Sequence, residues 1–571
     1  MSALTRLTTR AAAARPHATA IEIPGGDRWT WADLDADTRR FAAALHATGH
    51  SEGPLLLALP PGPAWIAALL GAWRAGAAAV PLDLTHPPAR LARLAAGCGA
   101  RAAVTADGAA PAWAPDLPAV PADARHDGAL PEITDSATAC LFHTSGSTGA
   151  PKPVVVSHRA LAERATGMPG AAGITAADRI AQLTAPVFDA VLWEVLCALA
   201  TGATLVSAPP AARTPGPALL RFLAEQRITA LTCTPSQLAA TGAPETALPE
   251  LRLVVLGGEA LHPRPLRAWF APGRRIANAY GPTEAGIEAF LAPDVDPHAD
   301  PVPIGRPLPG VIPLLLNPNG RPLPDGQEGE LHLAGTGLAD GYLHLPQESA
   351  AAFTTLTDPA TGRTVRAYRT GDRVRRLPDG QYVFLGRTDR QLNVHGVRLE
   401  PGEIEARALD HPRIRAAAAV LDPDGRRITL HTETDDPDLT PAGLRRHLAA
   451  HLPPAAVPAR ITCRPRLPRT SSGKLDRRAL ATEPAPPEPP TATAGPAGDL
   501  LPEPLATWWT QATGTPPTAE GDFFTAGGDS LNALALLARL NEHYDTALTI
   551  GGFTADPTVA HLLRTIERST Q

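Results

Sequence analysis

From about residue 20 to residue 290, short apolar runs suited to buried strands alternate with Ala/Leu/Arg segments of helical period. LLLALP is followed by WIAALLGAWRAG, AAVPLD, ARLARLAAG and RAAVTA, a succession that predicts α/β layers around a largely parallel sheet. From Val311 the pattern changes to short strands between Gly, Pro and Asp turns, in PLLLNPNGRPL, GELHLAG and GQYVFLG, which predicts an antiparallel, barrel-like subdomain. Beyond GRTDRQ, the segments EIEARAL, RAAAAVL, RRITLHTE and LRRHLAAHL predict a small α+β unit ending near Leu480, with a hinge at Asp389. The expected boundaries are therefore 1–388 for the large unit and 389–480 for the small one. Residues 481–500 are Pro/Ala-rich with little to pack and predict a linker. In the final stretch, 501–571, EPLATWWTQA, SLNALALLARLNEHY and TVAHLLRTIE are amphipathic at helical spacing and predict a small bundle.

A chain of 571 residues allows about three or four domains at roughly 150 residues each, in keeping with that division. Charge narrows the partners. With 51 Lys+Arg against 57 Asp+Glu and 4% aromatic residues, the chain lacks the basic excess and stacking platforms that nucleic-acid binding uses. The five cysteines are scattered without a C-x-x-C pair or a His cluster, so they read as small buried hydrophobes. Residues 63–84 are the most apolar stretch, but Arg74 and small residues interrupt it, and no membrane span is expected. The start resembles no secretory leader, so a cytoplasmic location is expected.

Candidate chemistry is densest in TACLFHTSGSTGAPKPVVVSH. Ala139–His143 is strand-forming, and the Ser/Thr/Gly loop after it offers amides and hydroxyls to phosphate oxygens, with Lys152 as a cation. It is not a Walker A loop, because the following element, PVVVSH, is another strand. A plain flexible surface loop is the alternative for TSGSTG alone.

TSGSTGAPK, YGPTE (280–284), YRTGD (368–372), GRTDRQ (386–391) and SGKLDRR (472–478) resemble, in order, the motifs of acyl-adenylate-forming enzymes. WRAGAAAVPLD (73–83), FDAVLWE (188–194), NAYGPTE (278–284) and GELHLAGTGLADGYL (329–343) narrow the resemblance to adenylation domains of nonribosomal peptide synthetases. DFFTAGGDSL (522–531) resembles the phosphopantetheine attachment site of a peptidyl carrier protein. The resemblance implies an adenylate-forming α/β core with its barrel-like subdomain, a small α+β C-terminal subdomain and a four-helix carrier bundle. By the same resemblance Thr144, Ser147, Thr148 and Lys152 hold the departing phosphates of ATP. Asn278 and Tyr280 meet adenine, Thr283 lies near the α-phosphate, and Glu284 holds Mg²⁺. Asp372 and Arg387 hold the ribose, and Lys474 bridges the substrate carboxylate and the α-phosphate. Attack of one anion on another needs such neutralising and positioning groups. Three departures stand out: Pro153 for a glycine, Asp340 for an arginine, and QLNVHG (391–396) where Lys and Arg are usual. Together they remove a backbone donor and lower the positive charge expected at the face between subdomains.

The resemblance also implies an amino-acid pocket. Asp189 is expected to pair the substrate α-ammonium, since an ammonium taken out of water needs an anion. Ala190, Trp193, Thr232, Val255, Gly257, Ala279, Ile287 and Glu288 complete the lining. A deep pocket with Glu288 far from the ammonium suits a guanidinium, which a carboxylate binds bidentately, so arginine is the expected substrate. An aromatic amino acid is the alternative, because Trp193 and Thr232 resemble phenylalanine pockets. Ser530 is expected to carry 4′-phosphopantetheine, although a serine at that place is otherwise a helix cap. The implied partners are a phosphopantetheinyl transferase, downstream tailoring or condensation enzymes and an MbtH-like protein. An acyl-CoA ligase using free coenzyme A and a silent carrier scaffold are the rivals. The carrier-like tail and Asp189 count against the first, and intact Lys474, Glu284 and Asp372 against the second.

Overall fold

The computed structural model describes residues 1–146, 149–244, 248–394, 396–422, 427–470, 474–482, 503–518 and 521–569. Ser147, Thr148 and most of the expected linker lie outside the described residues.

The alternating pattern yields two sheets. In the first, Thr19–Glu22, Thr204–Ser207, Arg179–Gln182, Ala230–Cys233, Leu253–Leu256 and Arg275–Tyr280 lie side by side and parallel. In the second, Pro54–Leu57 is flanked in parallel by Ala78–Pro81 and Ala102–Thr105, while Thr138–Thr144 and Lys152–Ser157 pair antiparallel around the hydroxyl-rich loop. Helices Pro63–Ala75 and Val191–Thr201 are apolar on all sides and share the largest core with strands of both sheets. The apolar stretch near residue 63 is thus a core helix whose Arg74 is buried against Asp35. Among the described residues no helix is long and apolar enough to cross a membrane.

The antiparallel strands expected from Val311 are present as Val311–Leu316, Glu328–Gly335, Thr364–Arg376 and Tyr382–Arg387. They are hydrogen-bonded into the first sheet through Phe290–Ala292 and Pro303–Pro307, so antiparallel pairing begins before the change of sequence texture. Then follow a hairpin, Leu392–Val394 with Val397–Leu399, and a three-stranded sheet with helices Pro401–Leu409 and Pro441–Ala449, which has its own core.

Helices Glu503–Thr513, Ser530–Tyr544, Ile550–Ala555 and Val559–Ser569 close around Leu505, Trp509, Phe523, Phe553 and Leu562. In the turn before the second of these helices, Gly527 has φ of +108°, and a Cβ on Gly528 would lie 2.2 Å from the Phe523 ring. Asp529 caps that helix, accepting from the Asn532 amide at 2.8 Å. Ser530 is therefore the first helical residue and not the cap, which removes the structural explanation of its hydroxyl.

Ion pairs join the units. Arg90 meets Glu403 at 2.6 Å, Arg221 meets Glu542 at 2.6 Å, and Arg445, over the Phe524 ring, lies 3.7 Å from Asp522. Gly528→Ala should force the Phe523 ring aside and destabilise the bundle by about 1–3 kcal/mol. Calorimetry of the full chain should show the bundle's transition lowered; an unshifted transition would mean the turn tolerates a side chain.

Candidate active site

Thr232 and Val255 are neighbours in the register of the parallel sheet, near the carboxyl ends of their strands. Gly257 directly follows one of these strands, and Ala279 stands near the end of the next. Ligands of open α/β sheets bind at such ends. A Cβ at Gly257 would come within 3.3 Å of the Ala279 carbonyl oxygen, so the absence of a side chain keeps depth there. Asp189 and Ala190 lead into the buried helix Val191–Thr201, which carries Trp193.

The segment from Tyr280 to Ala289 folds back on itself. The Ala289 amide bonds the Tyr280 carbonyl at 2.8 Å, and a Cβ on Gly281 would strike the Ile287 carbonyl at 2.2 Å. Ile287 takes φ of +108°, an uncommon and strained conformation for a β-branched residue. Buried Arg164 fixes this loop, donating to the Glu288 carbonyl at 2.9 Å. Nothing in the sequence reading pointed to Arg164.

Three buried carboxylates, Glu284, Glu288 and Asp372, and the half-buried Asp189 differ in their partners. Glu284 accepts from the Tyr342 hydroxyl at 2.7 Å and from Arg398 of the hairpin at 3.0 Å. Burial pushes its pKa up, but Arg398 and Tyr342 outweigh it and hold the carboxyl ionised. Asp372 receives Arg387 and the Tyr280 hydroxyl, and burial still raises its pKa. Asp189 has one carboxylate oxygen, Oδ2, buried without a hydrogen-bond partner among the described residues, and burial raises its pKa to about 6. Glu288 has neither oxygen partnered, and burial raises its pKa to about 8 despite the Arg164 cation and the Trp193 indole nearby.

Of the phosphate-loop residues, Thr144 ends its strand with a buried, unpartnered hydroxyl, and Lys152, opposite it in register, lies 4.6 Å over the Tyr342 ring. Pro153 continues this pairing opposite His143. The Asn278 amide donates to the Pro303 carbonyl at 2.8 Å, leaving its own carbonyl as an acceptor. Thr283 opens a short turn beside Glu284. Asp389 stands between the large unit and the hairpin, holding Arg387 through two hydrogen bonds of 2.8 and 2.7 Å. Lys474 is exposed on the small unit and is not among the residues gathered at the cleft. The hairpin of the same unit is there instead: Ser145 donates to the Arg398 carbonyl at 3.0 Å, and the Asn393 amide bonds the Gly258 carbonyl. Arg398 thus supplies the positive charge that QLNVHG lacks, a function not legible from its place in GVRLEPGE. Among the described residues no three His, Cys, Asp or Glu side chains form a metal-binding group. A lone carboxylate suits Mg²⁺ carried by nucleotide phosphates, since that ion keeps waters and takes one or two protein oxygens.

Buried acids near the carboxyl ends of a parallel sheet, a small unit whose hairpin reaches them and a separate helical bundle are the architecture of an adenylate-forming core joined to a carrier-type domain. The chain belongs to the AMP-binding enzymes: that family's model matches residues 8–343, the AMP-binding enzyme C-terminal domain matches 403–474, and the phosphopantetheine attachment site matches 503–566. It is thus an adenylate-forming, AMP-forming ligase that uses ATP and carries a domain for 4′-phosphopantetheine. It is 35% identical over 567 residues to novobiocin biosynthesis protein H of Streptomyces niveus, covering 94% of this chain and 92% of that protein. It is 37% identical over 580 residues to phosphinothricin tripeptide synthetase PhsC of Streptomyces viridochromogenes, covering 96% of this chain and 52% of that protein. Against the nonribosomal peptide synthetase CymA of Salinispora arenicola it is 36% identical but spans only 7% of that length. The chain therefore corresponds to about half or less of several large relatives. Among solved structures, holo-PA1221, a nonribosomal peptide synthetase protein with adenylation and carrier domains bound to a vinylsulfonamide inhibitor, superposes with a TM-score of 0.78 at 26% identity, covering 94% of this chain and 92% of that one.

Glu288 gives a pH test. With its pKa raised from 4.5 to about 8, the folded protein holds a proton that the unfolded chain has lost, so its stabilising share is complete below pH 4.5 and lost as pH rises through about 8. Glu288→Gln should match the wild type near pH 4.5 and exceed it by about 4–5 kcal/mol above pH 8, since each tenfold change in proton affinity is worth about 1.4 kcal/mol. Thermal unfolding across that range checks it; a difference that does not grow with pH would contradict the burial of an uncompensated acid.

Proposed function

We propose that this chain adenylates an L-α-amino acid, arginine first, and transfers the acyl group to the phosphopantetheine thiol on its own Ser530. ATP and the amino acid give aminoacyl-AMP and pyrophosphate; sulfur then attacks the acyl carbon, and AMP leaves. The observation that supports the substrate is that Asp189 and Glu288, the two acids the family resemblance assigns to the amino-acid pocket, each hold a buried carboxylate oxygen with no hydrogen-bond partner among the described residues. A ligand with an α-ammonium and a side-chain cation neutralises both, and a guanidinium matches a carboxylate fork better than an ammonium does. Ala190, Trp193, Thr232, Val255, Gly257, Ala279 and Ile287 would line the side chain between them. An aromatic amino acid is the second reading, favoured by a Glu288 that stays protonated at neutral pH when no cation is bound.

On this reading Thr144, Ser147, Thr148 and Lys152 receive the phosphates, and Asn278 and Tyr280 the adenine. Asp372 and Arg387 hold the ribose, with Thr283 at the α-phosphate. Glu284 would hold Mg²⁺, which supplies charge neutralisation when bound. Lys474 reaches the reacting anions only after residues 389–480 turn about Asp389 relative to the core, 1–388. The linker, 481–500, then allows the carrier, 501–571, to follow. A phosphopantetheinyl transferase is implied by the carrier domain. An MbtH-like protein and downstream tailoring or condensation enzymes complete the proposed partners, in the cytoplasm and in natural-product biosynthesis. The carrier domain and Asp189 favour this over use of free coenzyme A.

Lys474→Ala should lower adenylate formation by about 10²–10³ with the fold intact, as loss of a preorganised transition-state contact does. Amino-acid-dependent pyrophosphate exchange measures it, and near-wild-type exchange would remove Lys474 from the chemistry. Ser530→Ala should keep exchange but show neither the phosphopantetheine nor the aminoacyl mass increment; loading that persists would place the acceptor elsewhere. Glu288→Gln should lower kcat/KM for arginine far more than for phenylalanine. A wild type that prefers phenylalanine in exchange would replace arginine by the aromatic reading.

A further inference from the structure

Glu259 stands where the core, the hairpin and the carrier meet, and half of its carboxylate is unused. Its Oε2 accepts from the Ser236 amide at 3.2 Å and from the Ser236 hydroxyl at 2.5 Å. Ser236 lies in the first turn of helix Pro235–Thr241, whose cap, Thr234, accepts from the Gln237 amide at 3.1 Å. The carboxylate is thus anchored through one oxygen on a fixed element. Its Oε1 is buried and has no hydrogen-bond partner among the described residues. An ionised carboxylate only accepts, so this position calls for a donor from outside the core.

Its surroundings indicate where that donor comes from. A Cβ on Gly396 would lie 3.4 Å from Oε1 and 2.5 Å from the Thr234 methyl, so the hairpin passes as bare backbone. Asn393 ties the hairpin to the Gly258 carbonyl, next to Glu259. The carrier helix that begins at Ser530 packs against helix Pro235–Thr241. Gly257, at the pocket wall, is two residues before Glu259. The carrier, through the helix that begins at Ser530, and the hairpin, through Gly396 and Asn393, thus both pack on the elements that hold Glu259.

We propose that Glu259 Oε1 positions the phosphopantetheine arm by accepting a hydrogen bond from one of its amide N–H groups as the thiol approaches the acyl-adenylate. The assignment rests on Ser530 as the arm's attachment point. Glu259 is a positioning residue and takes no part in bond making.

The test uses the full chain in its holo form, with arms installed from coenzyme A and from analogues in which one or the other amide is replaced by an ester, which lacks the N–H. Single-turnover transfer to the arm and pyrophosphate exchange are measured side by side. Glu259→Ala should slow transfer to the natural arm about 10- to 100-fold more than it slows exchange, the range for a lost hydrogen bond to a charged group. One of the two ester arms should slow the wild type by a similar factor and cause no further loss in Glu259→Ala, the signature of one shared interaction. Transfer at the wild-type rate in Glu259→Ala, equal loss of transfer and exchange, or wild-type indifference to both ester arms would overturn the assignment. A wild type that exchanges pyrophosphate yet never loads its arm would overturn the Ser530 reading and this assignment with it.

Discussion

A carboxylate taken out of water needs a cation or a set of N–H donors, and the cleft is organised by how each of its acids meets that need. Glu194, inside the buried helix Val191–Thr201, accepts the amides of Leu183 and Thr184 at 3.1 and 2.9 Å and so locks the strand-to-helix loop that presents Asp189. Asp372 has Arg387, and Glu284 has Arg398. Those pairs are complete within the chain and set the shape of the site. Glu194 keeps one buried oxygen without a partner, as Asp189 does, and Glu288 has neither oxygen partnered among the described residues; on the proposed function it is Asp189 and Glu288 that meet the ligand.

The same constraint couples the site to the small unit. Glu284 borrows its cation from the hairpin, where Arg398 is half-buried, and Glu403 of the small unit finds buried Arg90 of the core. Losing one member would strand the other, which typically costs about 3–5 kcal/mol, so this arrangement holds as a unit until another cation reaches Glu284. Lys474, on the same unit, is exposed to solvent. On the proposed mechanism the two faces of the small unit serve the two half-reactions in turn.

Much of this was legible in the sequence because it depends on local pattern. The strand–loop–strand around Lys152, the buried helix Pro63–Ala75 and the bundle containing Ser530 follow from apolar spacing and turn residues. What could not be read were partners distant in sequence. Arg164 reaches Glu288 across 124 residues and Arg398 reaches Glu284 across 114, and neither arginine stands out in its own segment. The sequence also left open whether Ser530 caps its helix; the capping oxygen belongs to Asp529, whose bond to Asn532 is a matter of geometry. Antiparallel pairing starts at Phe290–Ala292 because that strand takes its neighbours from sheet position, which no turn residue announces.

Proton release on ligand binding tests the central claim most directly. Titration calorimetry of arginine into the full chain at pH 7, in buffers of different ionisation enthalpy, counts protons exchanged on binding. Glu288, with its pKa raised to about 8, is protonated before binding and ionised opposite a guanidinium, and Asp189, at about 6, adds little at that pH. The account predicts release of about one proton per arginine bound, and almost none in Glu288→Gln. Binding of arginine without proton release would contradict it.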